Sequence, residues 1–461
     1  MADAADVLKQ FQWRPEPAAS AAVRAALAEL LVRCPAAAQL SRRLSEETGT
    51  RMSDWLDHLE VPAVGLAAFH AAGFTAAARD GAPGSLAHPG GLFPAILPAE
   101  HWGAGMKVES ISDAVAALAP GAAIVGDPDA SLRTATIAEG REARLRVVER
   151  LGYDGYSCCA IPATRREAIA RHRRSFAQRR RALASDAEGF AELDRLVAMA
   201  IAEVGRDIAC DLFFAGERAY WQGRNRAARV QKARQDALGL GWGNDDHHTY
   251  RSSRTWFARM ITLFERLGFV CRERFYAGRE AGWGAQVLEH AVTGIVIFAD
   301  VDLSPEELVD DFAHAPLASR DHLGTVGLWC ALHGEAVLQA GMHHLEATFA
   351  FDAARAQLAA AGVPSMKPFT DEPWLRQCFT EGERWPVDAE RVDHLLAAGL
   401  IEDGPAAQFR DQGAIGSHLE ILERNDGFKG FNQHGVSEII RATDPRRDGG
   451  RGSGVGGRTH A

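Results

Sequence analysis

Three short segments carry the residue types from which a metal centre can be built. NDDHHTYRSS holds His247 and His248, MHHLEATFAF holds His343 and His344, and SHLEILER holds Glu420. Each reads as a short strand. Alternate strand side chains face opposite ways, so His247, Thr249 and Arg251 share one face and His248 and Tyr250 the other. His418, Glu420 and Leu422 likewise share a face. Two imidazoles and one carboxylate from separate strands can occupy one face of an octahedral metal. The opposite positions then stay open for a bidentate substrate and dioxygen. His247, His344 and Glu420 are the leading set. His248 and His343 remain alternative ligands, because a one-residue register slip swaps the faces. A paired histidine also has a plainer explanation, one ring buried and hydrogen-bonded and the other facing water.

Arg251 follows His247 on the same strand face. A guanidinium there would clamp a substrate carboxylate with two parallel N–H bonds. Its plainer role is an ion pair with Asp245 or Asp246. Ser437, in NQHGVSEII, offers a hydroxyl to the same carboxylate. Other chemistry is not supported. There is no GxSxG, P-loop or HExxH, and no GxGxxG that follows a strand and opens a helix. The seven cysteines include no CxxC pair and are odd in number, which fits reduced thiols in a cytoplasm.

The elements that must position these residues follow from hydrophobic period and turn residues. Residues 1–100 read as a helical N-terminal region, with AAVRAALAELLVRC at helical spacing. Residues 101–163 read as a degenerate βαβββ-like module without metal ligands, its helix SDAVAALA capped by Ser112. Residues 164–240 read as a charged helical connector. Its RHRRSFAQRRR cluster is expected to be a solvated helix face rather than a nucleic-acid surface, since aromatics do not interleave it. Residues 241–442 read as paired βαβββ catalytic modules. RTWFARMITLFERLG supplies the first helix, with Phe257, Met260, Ile261 and Phe264 on one face and Gly268 as stop. DAARAQLAAAG supplies the second, with Asp352 as cap. Residues 443–461, rich in Gly and Arg, read as a disordered tail. The fold class expected is α+β, with repeated modules forming a metal-holding half-barrel.

An internal echo supports a repeated module. LRVVERLGYDGY (145–156) and LEILERNDGFKGF (419–431) share Leu, two aliphatics, Glu-Arg and a G-aromatic-x-G-aromatic turn. Arg146 then takes the place of Glu420, so only the later copy can bind a metal there.

On these motifs the chain resembles the vicinal oxygen chelate superfamily, and within it the 2-oxoadipate dioxygenase/decarboxylase family. The resemblance covers roughly residues 240–440. An H-x-x-[FY]-R-[ST] strand maps His247, Tyr250, Arg251 and Ser252. A His-Leu strand before an Asp-led helix maps His344. An E-I-x-x-R strand maps Glu420 and Arg424, and a late Val-Ser contact maps Val436 and Ser437. The Thr-Pro-Arg that usually follows His-Leu is replaced by Glu346, Ala347 and Thr348. The resemblance implies Fe(II) held by His247, His344 and Glu420, with Arg251, Val436 and Ser437 at the substrate. It implies oxidative decarboxylation of a 2-oxo acid, such as 2-oxoadipate to 2-hydroxyglutarate. Another reaction on the same fold (isomerase, lyase or extradiol ring cleavage) and a metal-free ligand-binding module are the rivals.

Composition limits the partners. The 461 residues carry 51 Lys+Arg against 61 Asp+Glu, a formal charge of -10, where a dedicated nucleic-acid binder runs basic. No stretch of about 18 apolar residues suggests a membrane span, and MADAADVLKQFQW lacks the pattern of a secretory signal. The expected partners are a small anionic 2-oxo acid and dioxygen, in the cytoplasm.

Overall fold

The structure is a computed structural model and describes residues 13–432 and 444–445. Two helices, α1 (Pro17–Arg33) and α2 (Pro35–Arg43), precede the first strand. The chain then repeats one unit four times: a strand, a helix, and three strands. The first unit is β1 (Leu56–Pro62), α3 (Ala63–Ala71), β2 (Thr75–Ala76), β3 (Leu86–Ala87) and β4 (Ala95–Ala99). The second is β5 (Trp102–Lys107), α4 (Ile111–Leu118), β6 (Ile124–Val125), β7 (Leu132–Gly140) and β8 (Ala143–Arg150). Four connector helices follow: α5 (Ala163–Ala177), α6 (Asp186–Val204), α7 (Arg206–Gly223) and α8 (Arg226–Asp236). The third unit is β9 (Asp245–Arg251), α9 (Phe257–Arg266), β10 (Val270–Tyr276), β11 (Trp283–Glu289) and β12 (Val296–Asp302). After α10 (Thr325–His333) comes the fourth: β13 (His344–Thr348), α11 (Phe351–Ala360), β14 (Thr370–Glu372), β15 (Leu375–Phe379) and β17 (Ala414–Arg424). β16 (Glu383–Trp385), α12 (Ala389–Ala397) and α13 (Asp403–Gln412) are inserted before β17.

Units pair into two sheets. Their strand orders are β2-β3-β4-β1-β5-β8-β7-β6 and β10-β11-β12-β9-β13-β17-β15-β14, with β16 also on β17. In every unit the first strand runs parallel to the last, and the first strands of paired units run antiparallel. A parallel return needs a crossover, which the helix of each unit begins. The protein is therefore α+β, built from repeated βαβββ modules, with the second sheet curled into a half-barrel.

Packing fixes which strand face is inner. The outer face of β9 lies on the connector: the Phe214 ring meets His248 at 5.4 Å and Tyr250 at 6.2 Å. Phe214 also meets Phe264 of α9, whose Phe257, Met260, Ile261 and Phe264 are all buried at helical spacing. Burying one such ring contributes roughly 1.5–3 kcal/mol. Gly268, at φ 108°, turns the chain out of this helix.

Several expectations need correction. Residues 56–99 form a full βαβββ unit where helices were expected. β2 and β3 are two residues each and give no legible period. Ser110, not Ser112, caps α4, accepting from the Asp113 amide at 3.3 Å. Ala350 precedes α11, and Asp352 sits in its first turn instead of capping it. The basic cluster is not wholly a solvated face: Arg179 and Arg181 are buried and clamp Glu217 Oε1 at 2.9 and 2.6 Å. Only residues 444 and 445 of the expected tail lie among the described ones. All seven cysteines are free, and no described helix is long and apolar enough to cross a membrane.

Candidate metal centre

Register brings four donors to the inner face of the second sheet. In the antiparallel β9–β13 ladder Glu346 lies opposite His247, and His344 opposite Thr249. In the parallel β13–β17 ladder Glu346 lies beside Glu420, and His344 beside His418. One row thus reads His247, Glu346, Glu420, and the next Thr249, His344, His418. Ligand atoms of His247, Glu346 and Glu420 all lie within 4.8 Å of one another. His247 Nε2 is 3.1 Å from Glu346 Oε1, and His344 Nε2 contacts the same oxygen. His344 Nε2 is also 3.6 Å from Glu420 Oε2.

Each donor is oriented from behind. His247 Nδ1 faces Asp246 Oδ1 at 2.8 Å, and Asp246 is held by Arg424 Nε and Nη2 at 2.8 and 3.0 Å. His344 Nδ1 meets His343 Nδ1 at 2.6 Å. Both contacts use Nδ1 and leave Nε2 toward the centre, the arrangement in which an outer partner fixes a ligating imidazole. Gln377 Nε2 donates to Glu420 Oε1 at 2.7 Å, and Thr249 Oγ1 to Glu346 Oε1 at 3.0 Å.

The electrostatics ask for a cation. Glu346 and Glu420 are buried side by side. Burial pushes Glu420 up to about 7 and Glu346 well above the usual carboxylate range, Glu346 also through repulsion from Glu420. Burial holds His247 below its ordinary value and His344 well below it, so both rings are neutral. Asp246 is the opposite case: burial works against its charge, but Arg424 and His247 outweigh it and hold it ionised. Glu346 Oε2 has no hydrogen-bond partner. Two neutral imidazoles, two carboxylates in contact and an orphaned oxygen are a donor set that fits Fe, Mn, Zn or Ni.

A cavity of about 90 Å³ opens on these residues. Its walls include Phe275, Trp283, Phe298, Phe369, Phe379 and Phe431, which give the donors an apolar surround. Arg251 lines it, 3% exposed, with Nε 3.6 Å from Asp300 Oδ2. Burial pushes Asp300 up to about 7. Nε and Nη1 of Arg251 have no hydrogen-bond partner.

The structure brings His247, His344, Glu420 and Arg251 to one cavity. It turns His248 to the outer face, against Phe214, which removes that alternative ligand. His343 lines the same cavity and meets His344 Nδ1, so it stays an alternative ligand. Arg251 pairs with Asp300 rather than with Asp245, which Lys107 and Arg218 engage, or Asp246, which Arg424 engages. Val436 and Ser437 lie outside the described residues. Glu346 is the donor that sequence reasoning passed over. Its signal was its position two residues after His344, on the same strand face. A second cluster, Glu265, Cys271 and His314, lies near the surface, where His314 is already paired to Glu265 and Asp311.

No family model and no curated protein matches the chain. Among solved structures, a protein of Shewanella frigidimarina NCIMB 400 aligns at 15% identity and a TM-score of 0.35, over 49% of this chain and 98% of its own. A mutant 4-hydroxymandelate synthase from Streptomyces coelicolor aligns at 14% and 0.29, over 74% of this chain and 97% of its own. Methylmalonyl-CoA epimerase from Mycobacterium tuberculosis aligns at 13% and 0.23, over 40% of this chain and 88% of its own.

Proposed function

We propose that the chain is a metal-dependent enzyme of the vicinal oxygen chelate type, a non-haem Fe(II) dioxygenase/decarboxylase acting on a 2-oxo acid. The observation that carries this reading is the convergence of His247, His344 and Glu420, from three strands, on one aromatic-walled cavity that also holds Arg251. These three residues would hold the iron. Bound there, Fe(II) would supply redox chemistry toward dioxygen and a Lewis-acid anchor for the carboxylate and keto oxygens of the substrate.

The chain's own residues do the rest. Asp246 and His343 keep Nε2 of His247 and His344 turned inward. Gln377 orients Glu420. Arg251, paired through Nε with Asp300, would present its unpartnered Nη1 to the distal carboxylate of the substrate, and the aromatic walls would take its carbon chain. Val436 and Ser437 would complete the substrate contacts, and conversion of 2-oxoadipate to 2-hydroxyglutarate is the first reaction to assay. The test is elemental analysis of the purified chain, joined to oxygen uptake with a panel of 2-oxo acids after iron loading. Stoichiometric iron with substrate-dependent uptake supports the reading; metal without uptake overturns the oxygenase part.

One observation favours a second reading. Glu346 supplies a fourth donor in the same row as His247 and Glu420. A two-histidine, two-carboxylate set leaves fewer positions open, which suits an isomerase or lyase that uses the metal only as a Lewis acid.

A further inference from the structure

The two sheets match residue for residue around their centres. Asp57, His58 and Arg150 stand in the first as Asp246, His247 and Arg424 stand in the second. Asp57 Oδ2 lies 2.7 Å from His58 Nδ1. Arg150 donates from Nε and Nη2 to Asp57 at 2.5 and 2.9 Å, and from Nη1 to the Tyr153 and Gly155 carbonyls at 3.1 and 2.7 Å. Arg424 donates to Asp246 from the same two nitrogens, and from Nη1 to the Phe428 and Gly430 carbonyls at 3.2 and 2.7 Å. Tyr156 stands edge-on to His58 at 5.1 Å, as Phe431 does to His247 at 4.9 Å.

Inside this conserved frame the charge is reversed. Register puts Gly105 opposite His58 and beside Arg146, and Gly103 opposite Glu60 and beside Arg144. Gly105 therefore replaces Glu346, Gly103 replaces His344, Arg146 replaces Glu420 and Arg144 replaces His418. A Cβ on Gly105 would lie 2.3 Å from the His58 ring, and one on Gly103 2.3 Å from Glu60 Oε2. The space that ligands fill in the second sheet is taken here by Glu60. Its Oε2 accepts from Arg144 Nε at 2.6 Å, and its Oε1 lies 2.9 Å from Arg146 Nη1.

We propose that the first sheet holds a second ligand site, for a small organic carboxylate, at the cavity where Arg144 and Glu60 meet Leu97. This cavity, of about 320 Å³, is the counterpart of the metal pocket: Leu97 pairs with Glu60 as Phe298 pairs with Thr249. Two guanidiniums face Glu60, and Glu100 is the other carboxylate of the cavity. Arg144 lines the cavity, and its side chain remains 37% exposed with only Nε engaged by Glu60, so its Nη groups are open to a ligand. His58, 2% exposed, lies behind the cluster with Nε2 unpartnered and 4.0 Å from Glu60 Oε1. Glu60 itself shows that both guanidiniums accept a carboxylate. Leu97, Pro83 and Pro98 give the cavity an apolar side for a carbon chain, which inorganic phosphate would not use. Glu100 and His101 also line the cavity and are exposed, and the Glu100 carboxylate disfavours a dianion over a monoanion.

The site is independent of the metal reading and is tested on metal-free full-length protein carrying Arg251→Gln, which silences the guanidinium of the other pocket. Calorimetric titration with acetate, propionate and succinate, and with inorganic phosphate, reads the site. The expected result is saturable one-to-one binding of propionate, weaker binding of phosphate, and a loss of at least about tenfold in Arg144→Gln. Leu97→Trp fills the cavity beside Glu60 while keeping every charged group of the cluster, and should abolish binding in a protein with an unchanged melting temperature. Absence of saturable carboxylate binding overturns the proposal, as does binding that both variants leave unchanged. Phosphate binding as tightly as propionate overturns the assignment to a carboxylate.

Discussion

Glu346 lies directly opposite His247 across the β9–β13 ladder, with Oε1 of the one 3.1 Å from Nε2 of the other. This contact decides whether the centre has three protein ligands or four. With His247, His344 and Glu420 as the ligands, each alanine variant loses stoichiometric iron, while Glu346→Gln keeps it. Metal analysis of the four purified variants is the measurement. Loss of iron in Glu346→Gln would move the assignment to the four-ligand, Lewis-acid reading.

Asp246 binds both His247 and Arg424, so Asp246→Asn acts on metal and fold together. Removing an outer-shell partner weakens metal affinity about 10–100-fold. Leaving Arg424 without its buried partner costs about 3 kcal/mol. A competitive chelator titration reads the first effect and a urea melt the second. A variant with unchanged metal affinity would show that the pair serves only to latch the chain after β17, as Arg150, held by Asp57, latches the chain after β8.

Arg251→Gln removes the buried cation of the metal pocket without touching the donors. Charge-assisted hydrogen bonds contribute roughly 1.5–3 kcal/mol, so KM for the 2-oxo acid should rise about 10–150-fold with iron content unchanged. Steady-state kinetics on the iron-loaded variant give the answer. A fall in kcat at constant KM would contradict a binding role.

Glu335 gives stability a pH dependence. It is 2% exposed and accepts from the Ser252 hydroxyl at 2.7 Å and the Ser253 amide at 3.2 Å. Burial nevertheless pushes it up to about 7 from 4.5. The unfolded chain releases this proton near pH 4.5 and the folded chain near 7, so the folded state binds more protons between them. Stability from this group therefore falls as pH rises from about 4.5 to about 7, by on the order of 3 kcal/mol, and is level outside that window. Glu335→Gln should remove that slope, as read by the difference between variant and parent in urea melts across the window.

Strand alternation made β9, β13 and β17 legible, because one face of each carries polar donors and the other packs on helices. The α9 stripe of Phe257, Met260, Ile261 and Phe264 was legible for the same reason, a period matched to the element. The unit at 56–99 was not. β2 and β3 are too short to show a period, and the alanine-rich segments around β1 read as helix.

The residue types by themselves determined the chemistry on offer: imidazole and carboxylate donors on strands, one guanidinium on the face of His247, and a repeat in which Arg146 takes the place of Glu420. The tertiary structure alone decided which donors meet. Glu346 and Glu420 are neighbours only through the β13–β17 register, and His248 is excluded only because Phe214 of the connector covers its face. Sequence spacing sets which side of a strand a residue occupies. Pairing between distant strands sets which residues share a row, and that depends on how the modules pack.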